Sequence, residues 1–199
     1  MIYRLFYPLI WLFAYLLCLV LGPIWVRKEQ KWPRGGLLVL STHQSDCDPV
    51  FVQVGAMLPL HFMAKSELFE MRVLGPVIRF LRGFPVQRGT PDKAAIKRAI
   101  ELLKSGERVG IFPEGQLSET GELLPVLPGS ALIVRMAQVP VVCCRVQNTN
   151  RVIPYGQYIP RPCFRRVYVR FGEVRTFDKG ATNEDIIEWV NREWRRLGE

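Results

Sequence analysis

A histidine and an aspartate that could together act as a general base stand close in the chain. His43 is followed five positions later by Asp48, within the polar segment HQSDCDP. A carboxylate that accepts from one imidazole nitrogen fixes the tautomer of the ring and makes its other nitrogen a better base. This arrangement is the orienting half of a catalytic triad without a protein nucleophile. The alternative is a histidine that only satisfies hydrogen bonds of its loop.

The elements around this pair predict an α/β fold with a mixed sheet covered by helices. A short apolar run at 37–40 is typical of a buried strand, and a polar loop and a helix at 49–57 follow it. The same strand-and-loop order recurs at 109–118. Ligands of α/β proteins bind outside the carboxyl ends of strands, where both loops fall. Further strands are predicted at 61–64, 84–86, 140–146 and 167–171. Further helices are predicted at 129–137, after Thr90 and after Thr182.

Two helix starts have clear capping signals. Thr90 and Pro91 suit the N-cap and first position of a helix that ends at Gly106. Thr182 and Asp185 have the spacing of a capping box and predict the start of the last helix.

Four sequence blocks in a fixed order carry a resemblance to a known family. They are HQSDCDP at 43–49, GFPVQR at 83–88, FPEG at 112–115 and VPVV at 139–142, spanning about half of the chain. Together they resemble the glycerolipid acyltransferase family, whose best-known members acylate lysophosphatidic acid. The resemblance implies transfer of a fatty acyl group from a thioester, acyl-CoA or acyl carrier protein, to the free hydroxyl of lysophosphatidic acid. The product is phosphatidic acid, made in phospholipid biosynthesis.

The resemblance also implies roles for the residues of the first block. His43 is the general base that takes the proton of the attacking hydroxyl, and Asp48 orients it. The thiol of the donor is a good leaving group, so the reaction needs no acyl-enzyme. Cys47 is therefore expected to be a small buried residue and not a nucleophile. No cofactor and no metal is implied.

The second block is expected to bind the acceptor. By resemblance, Gly83 and Phe84 belong to this element, and Arg88 grips the acceptor phosphate. A planar, permanently charged guanidinium suits a phosphate. The alternative is that Arg88 is a solvated surface arginine.

The third block matches the acceptor-binding loop of the family. Gly115 would permit close backbone approach, and Glu114 would organise the loop or contact the lysolipid. Lys65, in the segment AKSEL, is similar to a further family stretch and is a weaker candidate for substrate binding.

One departure from the family puts the acceptor head group in question. Members that act on lysophosphatidic acid often have an arginine two positions after the FPEG glycine, where this chain has Leu117. The segment FPEGQLSETG is similar to members that accept other lysophospholipids, such as lysophosphatidylethanolamine. A lipid-binding membrane protein without activity is a third possibility, although a binding protein has no need of the base His43.

The N-terminal segment predicts attachment to a membrane. Leu5 to Val26 contain no charged side chain, enough residues to cross a hydrocarbon core of about 30 Å as a helix. A helix confined between Pro8 and Gly22 would be too short, so an anchor within one leaflet is the alternative. We expect residues 1–30 to be a hydrophobic membrane-anchoring helical segment and residues 31–199 to be the acyltransferase domain. Basic residues after the segment favour the cytoplasmic face, here of the bacterial inner membrane.

Composition limits the remaining function classes. The chain has 199 residues, 49% of them apolar, which excludes a disordered chain. Five cysteines without a C-x-x-C pair, and only two histidines, argue against a zinc or disulfide framework. The net charge of +9 predicts an anionic partner. We expect membrane lipids, and no nucleic acid because no nucleic-acid motif is present.

Six arginines lie within 25 residues that hold a single acid, Glu173. They are predicted to form a basic face toward an anionic leaflet, or toward the acyl carrier protein or the phosphates of coenzyme A. These are Arg151, Arg161, Arg165, Arg166, Arg170 and Arg175.

Overall fold

A computed structural model of the protein shows a mixed sheet with helices on both faces. The structure describes residues 2–87 and 92–199. The strands are β1 (Ile24–Lys28), β2 (Leu37–Ser41), β3 (His61–Lys65), β4 (Phe84–Val86), β5 (Arg108–Ile111), β6 (Val141–Gln147) and β7 (Val167–Arg175). The helices are α1 (Ile2–Leu21), α2 (Asp48–Ala56), α3 (Leu74–Phe80), α4 (Lys93–Lys104), α5 (Pro128–Ala137) and α6 (Asn183–Arg196). Short 3-10 turns lie at Ser66–Phe69 and Thr149–Arg151.

The strands are ordered β1-β7-β6-β2-β5-β3-β4. Strands β2 to β6 run parallel to one another, whereas β7 is antiparallel to β6 and β1 is parallel to β7. The carboxyl ends of β2, β3, β4, β5 and β6 therefore meet at one edge, called the carboxyl edge below. The strands β1 and β7 begin at that same edge.

The central strand β2 shows why the sequence forms a sheet covered on both faces. Successive side chains of a strand point to opposite faces. Leu37 and Val39 pack in the cluster that includes Phe51 of α2. Leu38 and Leu40 pack in the opposite cluster, with Trp194 of α6. An uninterrupted apolar run is the pattern of a strand buried on both sides. The predicted mixed sheet flanked by helices is thus confirmed.

The N-terminal helix has 20 residues, close to the length of the uncharged run and longer than a helix confined between Pro8 and Gly22. It begins at Ile2, and Pro8 lies inside it instead of starting it. The helix packs against α2, where the indole nitrogen of Trp11 donates to the carbonyl of Val54 at 2.9 Å. In the described part of the chain, no helix combines the length and the apolar character that crossing a bilayer requires. Membrane anchoring by this segment stays a prediction.

Strand β1 was not predicted from the sequence. It occupies the end of the uncharged run and pairs with β7, Ile24 lying opposite Val167. Gly22 and Pro23 mark the end of the helix, but nothing in the five residues that follow identifies them locally as a strand. The division of the chain at residue 30 stays a prediction.

The capping signals had different outcomes. The capping box of Thr182 and Asp185 is confirmed at the start of α6. Helix α4 is capped by Asp92, whose side chain accepts from the amide of Ala95, and not by Thr90. Asp92 takes this place because its short carboxylate reaches the amide three residues on. Thr90 and Pro91 lie outside the described residues.

Candidate active site

The His43–Asp48 pair lies at the carboxyl edge, in the loop between β2 and α2. Nδ1 of His43 is 2.9 Å from Oδ2 of Asp48. The same carboxylate oxygen accepts from the backbone amides of Gln44 at 2.6 Å and Ser45 at 2.8 Å. The Asp48 side chain is completely buried, and that of His43 is 5% exposed. The loop thus wraps around one carboxylate and holds it in place.

These contacts set the proton positions on the imidazole. An ionised carboxylate only accepts, so in the neutral ring the proton is on Nδ1 and the lone pair is on Nε2. None of the described residues bonds to Nε2. The arrangement gives a nitrogen base of fixed orientation, which is what abstraction of a hydroxyl proton requires.

The plane of the His43 ring is fixed by an aromatic stack. The ring lies on Phe112, with centroids 3.9 Å apart and planes 16° from parallel. Phe112 lies in turn on Phe62 of β3, at 5.6 Å. Phe112, the first residue of the FPEG loop, therefore packs against one face of the imidazole. Sequence reasoning missed this role, although an aromatic residue beside the loop was the available signal.

Glu114 connects two loops of the carboxyl edge, the one after β5 and the one after β2. Its Oε2 accepts from the backbone amide of His43 at 2.8 Å, and its Oε1 accepts from the amide of Leu124 at 3.2 Å. The residue is buried, and desolvation raises the pKa of its carboxyl to about 7 against the opposing effect of the two amides. Both oxygens are used within the protein, so this geometry suits the organising role better than contact with a lysolipid.

The turn of the FPEG loop depends on Gly115. Its φ is +71°, in the left-handed region that favours glycine. A Cβ at this position would lie 2.6 Å from Cδ1 of Leu127. The amide of Gly115 donates to the carbonyl of Phe112 at 3.0 Å and closes the turn. A few residues on, the Ser118 amide donates to the His43 carbonyl at 2.8 Å and joins the two loops again.

An open cavity of about 580 Å³ lies beside these loops. Lys65, at the end of β3, lines it and forms an ion pair with Glu67 at 3.2 Å. Leu117 lines it as well, together with the carboxylates of Asp46 and Glu119. The cavity walls thus carry both charge signs next to the His43 loop.

The second block is only partly described. The amide of Gly83 donates to the carbonyl of Ile78 at 2.8 Å, and a Cβ on Gly83 would lie 2.4 Å from Cγ2 of Ile78. Phe84 is buried in the core of the α4–α6 face. Both residues therefore make structural contacts. Arg88 lies outside the described residues.

Cys47 immediately precedes α2 and is buried, and burial raises the pKa of its thiol to about 12. A thiol of this kind stays protonated at neutral pH and is a poor nucleophile.

Across residues 2–87 and 92–199, no group of three or more histidine, cysteine or acidic side chains is arranged to hold a metal ion.

Comparison with known proteins gives consistent matches. The chain is 37% identical over 132 residues to a 1-acyl-sn-glycerol-3-phosphate acyltransferase of Bacillus subtilis, covering 65% of each chain. It is 35% identical over 170 residues to the protein of that name from Streptococcus pneumoniae, covering 81% of this chain and 60% of the relative. The chain thus spans somewhat less than two thirds of these curated relatives.

A solved structure shows the same architecture. The crystal structure of the 1-acyl-sn-glycerophosphate (LPA) acyltransferase PlsC from Thermotoga maritima matches with a TM-score of 0.70 and 25% identity. The match covers 89% of this chain and 71% of that one. The family model described as Acyltransferase matches residues 23–147, more than half of the chain and including the His43, Glu114 and Gly115 loops. The chain therefore belongs to the acyltransferase family.

Proposed function

We propose that this protein transfers a fatty acyl group from an acyl thioester to the free hydroxyl of lysophosphatidic acid, forming phosphatidic acid. The observation that carries the proposal is the 2.9 Å contact between Nδ1 of His43 and Asp48, in a chain of the acyltransferase family. The relatives named above as 1-acyl-sn-glycerol-3-phosphate acyltransferases support this choice of acceptor.

In this proposal the acyl group passes directly from the donor sulfur to the acceptor oxygen, by attack on the thioester followed by departure of the thiolate. Nε2 of His43 takes the proton of the acceptor hydroxyl while the hydroxyl oxygen attacks the thioester carbonyl carbon. Asp48 stabilises the imidazolium that forms. The C–S bond then breaks, and the leaving thiolate accepts from His43 the proton that came from the acceptor hydroxyl. An ester and a free thiol result, and no group of the protein is acylated, in keeping with the buried thiol of Cys47.

The donor is proposed to be acyl-CoA or acyl carrier protein, because both present a thioester whose sulfur leaves readily. An alcohol is a poor nucleophile at neutral pH, so proton removal by His43 assists its attack. General-base catalysis contributes about 10²–10⁴-fold to rate.

The direct test is acylation by purified protein with both donors. His43→Ala is expected to lower kcat at least about 100-fold while the protein stays folded. Asp48→Asn should also lower kcat, because an amide donor at Nδ1 would favour the wrong tautomer. His61→Ala is the matched control, since His61 lies on β3 and bonds to the carbonyl of Arg82. Normal turnover by folded His43→Ala protein would refute the assignment.

A second acceptor is favoured by a specific observation. Leu117 adds no positive charge to a cavity lined by two acids, Asp46 and Glu119, and by Lys65, whose charge is already paired with Glu67. An acceptor whose head group includes an amine, such as lysophosphatidylethanolamine, would suit that charge balance better than a dianionic phosphomonoester. Measuring both acceptors side by side distinguishes the two candidates.

We also propose attachment to the cytoplasmic face of the bacterial inner membrane through α1. Trp11 and Cys18 face the body of the protein, whereas Phe13 and Val20 are 70% and 71% exposed on the outer side. A helix that packs on its own domain with one apolar side outward suits burial in a single leaflet. The basic residues that follow the helix favour the cytoplasmic side.

A further inference from the structure

The segment between β6 and β7 exposes large apolar side chains. We call residues 154–166 the interfacial loop. Within it Phe164 is 97% exposed, Tyr158 87% and Ile159 80%. Isolated exposed apolar residues are ordinary, but several within one short loop mark an interaction site.

The charge of the interfacial loop indicates which kind of surface it meets. Residues 154–166 contain no acid, and Arg161, Arg165 and Arg166 are all exposed. The Arg166 guanidinium lies 5.0 Å above the ring of Trp25, itself half exposed. Arginines beside aromatic and aliphatic side chains are the composition of protein surfaces that enter the head-group region of anionic lipids.

The base of the loop is tied to the active-site elements. The hydroxyl of Ser45, in the loop that holds His43, donates to the carbonyl of Ile153 at 2.7 Å. At the other end, the amide of Val167 donates to the carbonyl of Pro23, just beyond α1, at 2.9 Å. Tyr155 and Tyr158 line the same cavity as Leu117. The loop therefore connects the outer apolar helix, the cavity and the His43 loop along the carboxyl edge.

We propose that the interfacial loop inserts Ile159 and Phe164 into an anionic leaflet and holds the acceptor cavity at the lipid surface. A lysolipid keeps its acyl chain in the leaflet and its head group at the surface. A loop at that depth places the cavity where the head group lies, so the acceptor enters by lateral diffusion. Only the activity measurement described last rests on the proposed function.

A fluorescent label reports the insertion directly. All five cysteines are buried, so a cysteine introduced at an exposed site is labelled selectively with an environment-sensitive dye. Phe164→Cys is the test, and Met136→Cys on α5, half exposed at the opposite edge, is the matched control. With vesicles containing 30% phosphatidylglycerol, we expect a blue shift and quenching by acyl-chain nitroxides at position 164 alone. Equal, unshifted spectra at both positions would overturn the proposal.

Negative charges introduced at the two apolar positions test how much the interfacial loop contributes to vesicle binding. Ile159→Glu/Phe164→Glu is expected to weaken partitioning of the full chain onto phosphatidylglycerol vesicles about tenfold. Leu132→Glu/Met136→Glu on α5 makes the same change in charge at exposed apolar sites and should leave it unchanged. Should the loop variant bind vesicles normally but lose binding to acyl carrier protein, the loop is a protein-docking surface and the lipid proposal is wrong.

Activity separates this proposal from the proposed function. With long-chain lysophosphatidic acid in vesicles, Ile159→Glu/Phe164→Glu should be about tenfold slower, whereas its rate with a water-soluble short-chain acceptor should match wild type. Equal loss with both acceptors would contradict the loop's role at the membrane. Inactivity of wild type with both acceptors would refute the proposed function, while the label at position 164 would still decide the insertion.

Discussion

Oε2 of Glu114 accepts a hydrogen bond from the backbone amide of His43 at 2.8 Å, across 71 residues of sequence. This contact joins the loop after β5 to the loop after β2, two neighbouring strands of the sheet. Because Oε1 accepts from the amide of Leu124, one buried side chain fixes the backbone of His43 and that of Leu124, ten residues further along its own loop. The carboxylate acts on His43 through the main chain and not through the ring.

Glu114→Gln is expected to destabilise the protein and slow catalysis. Glutamine offers one acceptor oxygen and places an NH2 group against the other amide, leaving a buried donor unpaired at a cost of about 1–3 kcal/mol. The His43 backbone should then shift, lowering kcat more than it raises KM. Chemical denaturation and steady-state kinetics measure the two effects. Glu122→Gln, at an exposed carboxylate in the adjoining segment, is the control and should behave as wild type.

The same side chain predicts a pH dependence of stability. Burial raises the pKa of Glu114 from near 4.5 to about 7, so between these values the folded protein binds a proton that the unfolded chain has released. The resulting stabilisation is fully present below pH 4.5 and is lost as pH rises through 7. Relative to Glu114→Gln, the free energy of unfolding of wild type should fall by about 3 kcal/mol over that interval. Parallel pH profiles of the two proteins would show that Glu114 does not titrate this way.

How far the sequence could predict this site depends on how far apart along the chain the contacting residues are. The His43–Asp48 contact follows from local spacing, because Asp48 opens α2 directly after the loop. The contacts of Glu114 and of Phe112 with His43 need the adjacency of β2 and β5, which no local pattern encodes. The resemblance identified Glu114 as important but left open which groups it touches.

The fold shows the same limit at its edge. Strand β2 was predictable because an apolar run buried on both faces stands out between a glycine pair and a polar loop. Strand β1 follows the apolar helix after only Gly22 and Pro23, and its pairing with β7, more than 140 residues later, makes it a strand. Long-range pairing, and not local propensity, decides such an element.

Gly115→Ala is expected to reduce both stability and activity. The left-handed backbone costs about 1–2 kcal/mol for a residue with a Cβ, and the new methyl would press on Leu127. The turn that carries Glu114 should open, so kcat should fall together with the melting temperature. Gly180→Ala is the matched control, because a Cβ there meets nothing within 4 Å. Unchanged melting and turnover for Gly115→Ala would show that the loop tolerates a different turn.

The outer face of α1 makes membrane attachment testable without truncation. Phe13→Glu/Val20→Glu places two charges on exposed positions and leaves the contact of Trp11 with Val54 in place. We expect the variant to move from the membrane fraction to the supernatant in high salt, where residual electrostatic binding is screened. Leu132→Glu/Met136→Glu on α5 serves as the control for added charge. If the α1 variant stays in the membrane fraction like that control, the attachment lies elsewhere.

Leu117 makes the acceptor preference testable. It lines the cavity beside the carboxylates of Asp46 and Glu119, so Leu117→Arg adds a cation where a phosphomonoester would bring its second negative charge. A charge-assisted hydrogen bond contributes about 1.5–3 kcal/mol. The kcat/KM for lysophosphatidic acid relative to lysophosphatidylethanolamine should therefore rise at least about tenfold. Leu132→Arg, on α5, controls for a general effect of added charge.

Substitution of Arg88 tests whether this residue binds the acceptor phosphate. If it grips the phosphate that both acceptors share, Arg88→Ala should lower kcat/KM for the two lysolipids alike, by about 2–3 kcal/mol in transition-state free energy. Arg88→Lys should recover only part of the loss, because it keeps the charge without the guanidinium fork. A change in donor KM alone would assign Arg88 to the donor site. In that case the two sites act independently, and the effect of Leu117→Arg on acceptor preference should be the same in the Arg88→Ala background as in wild type.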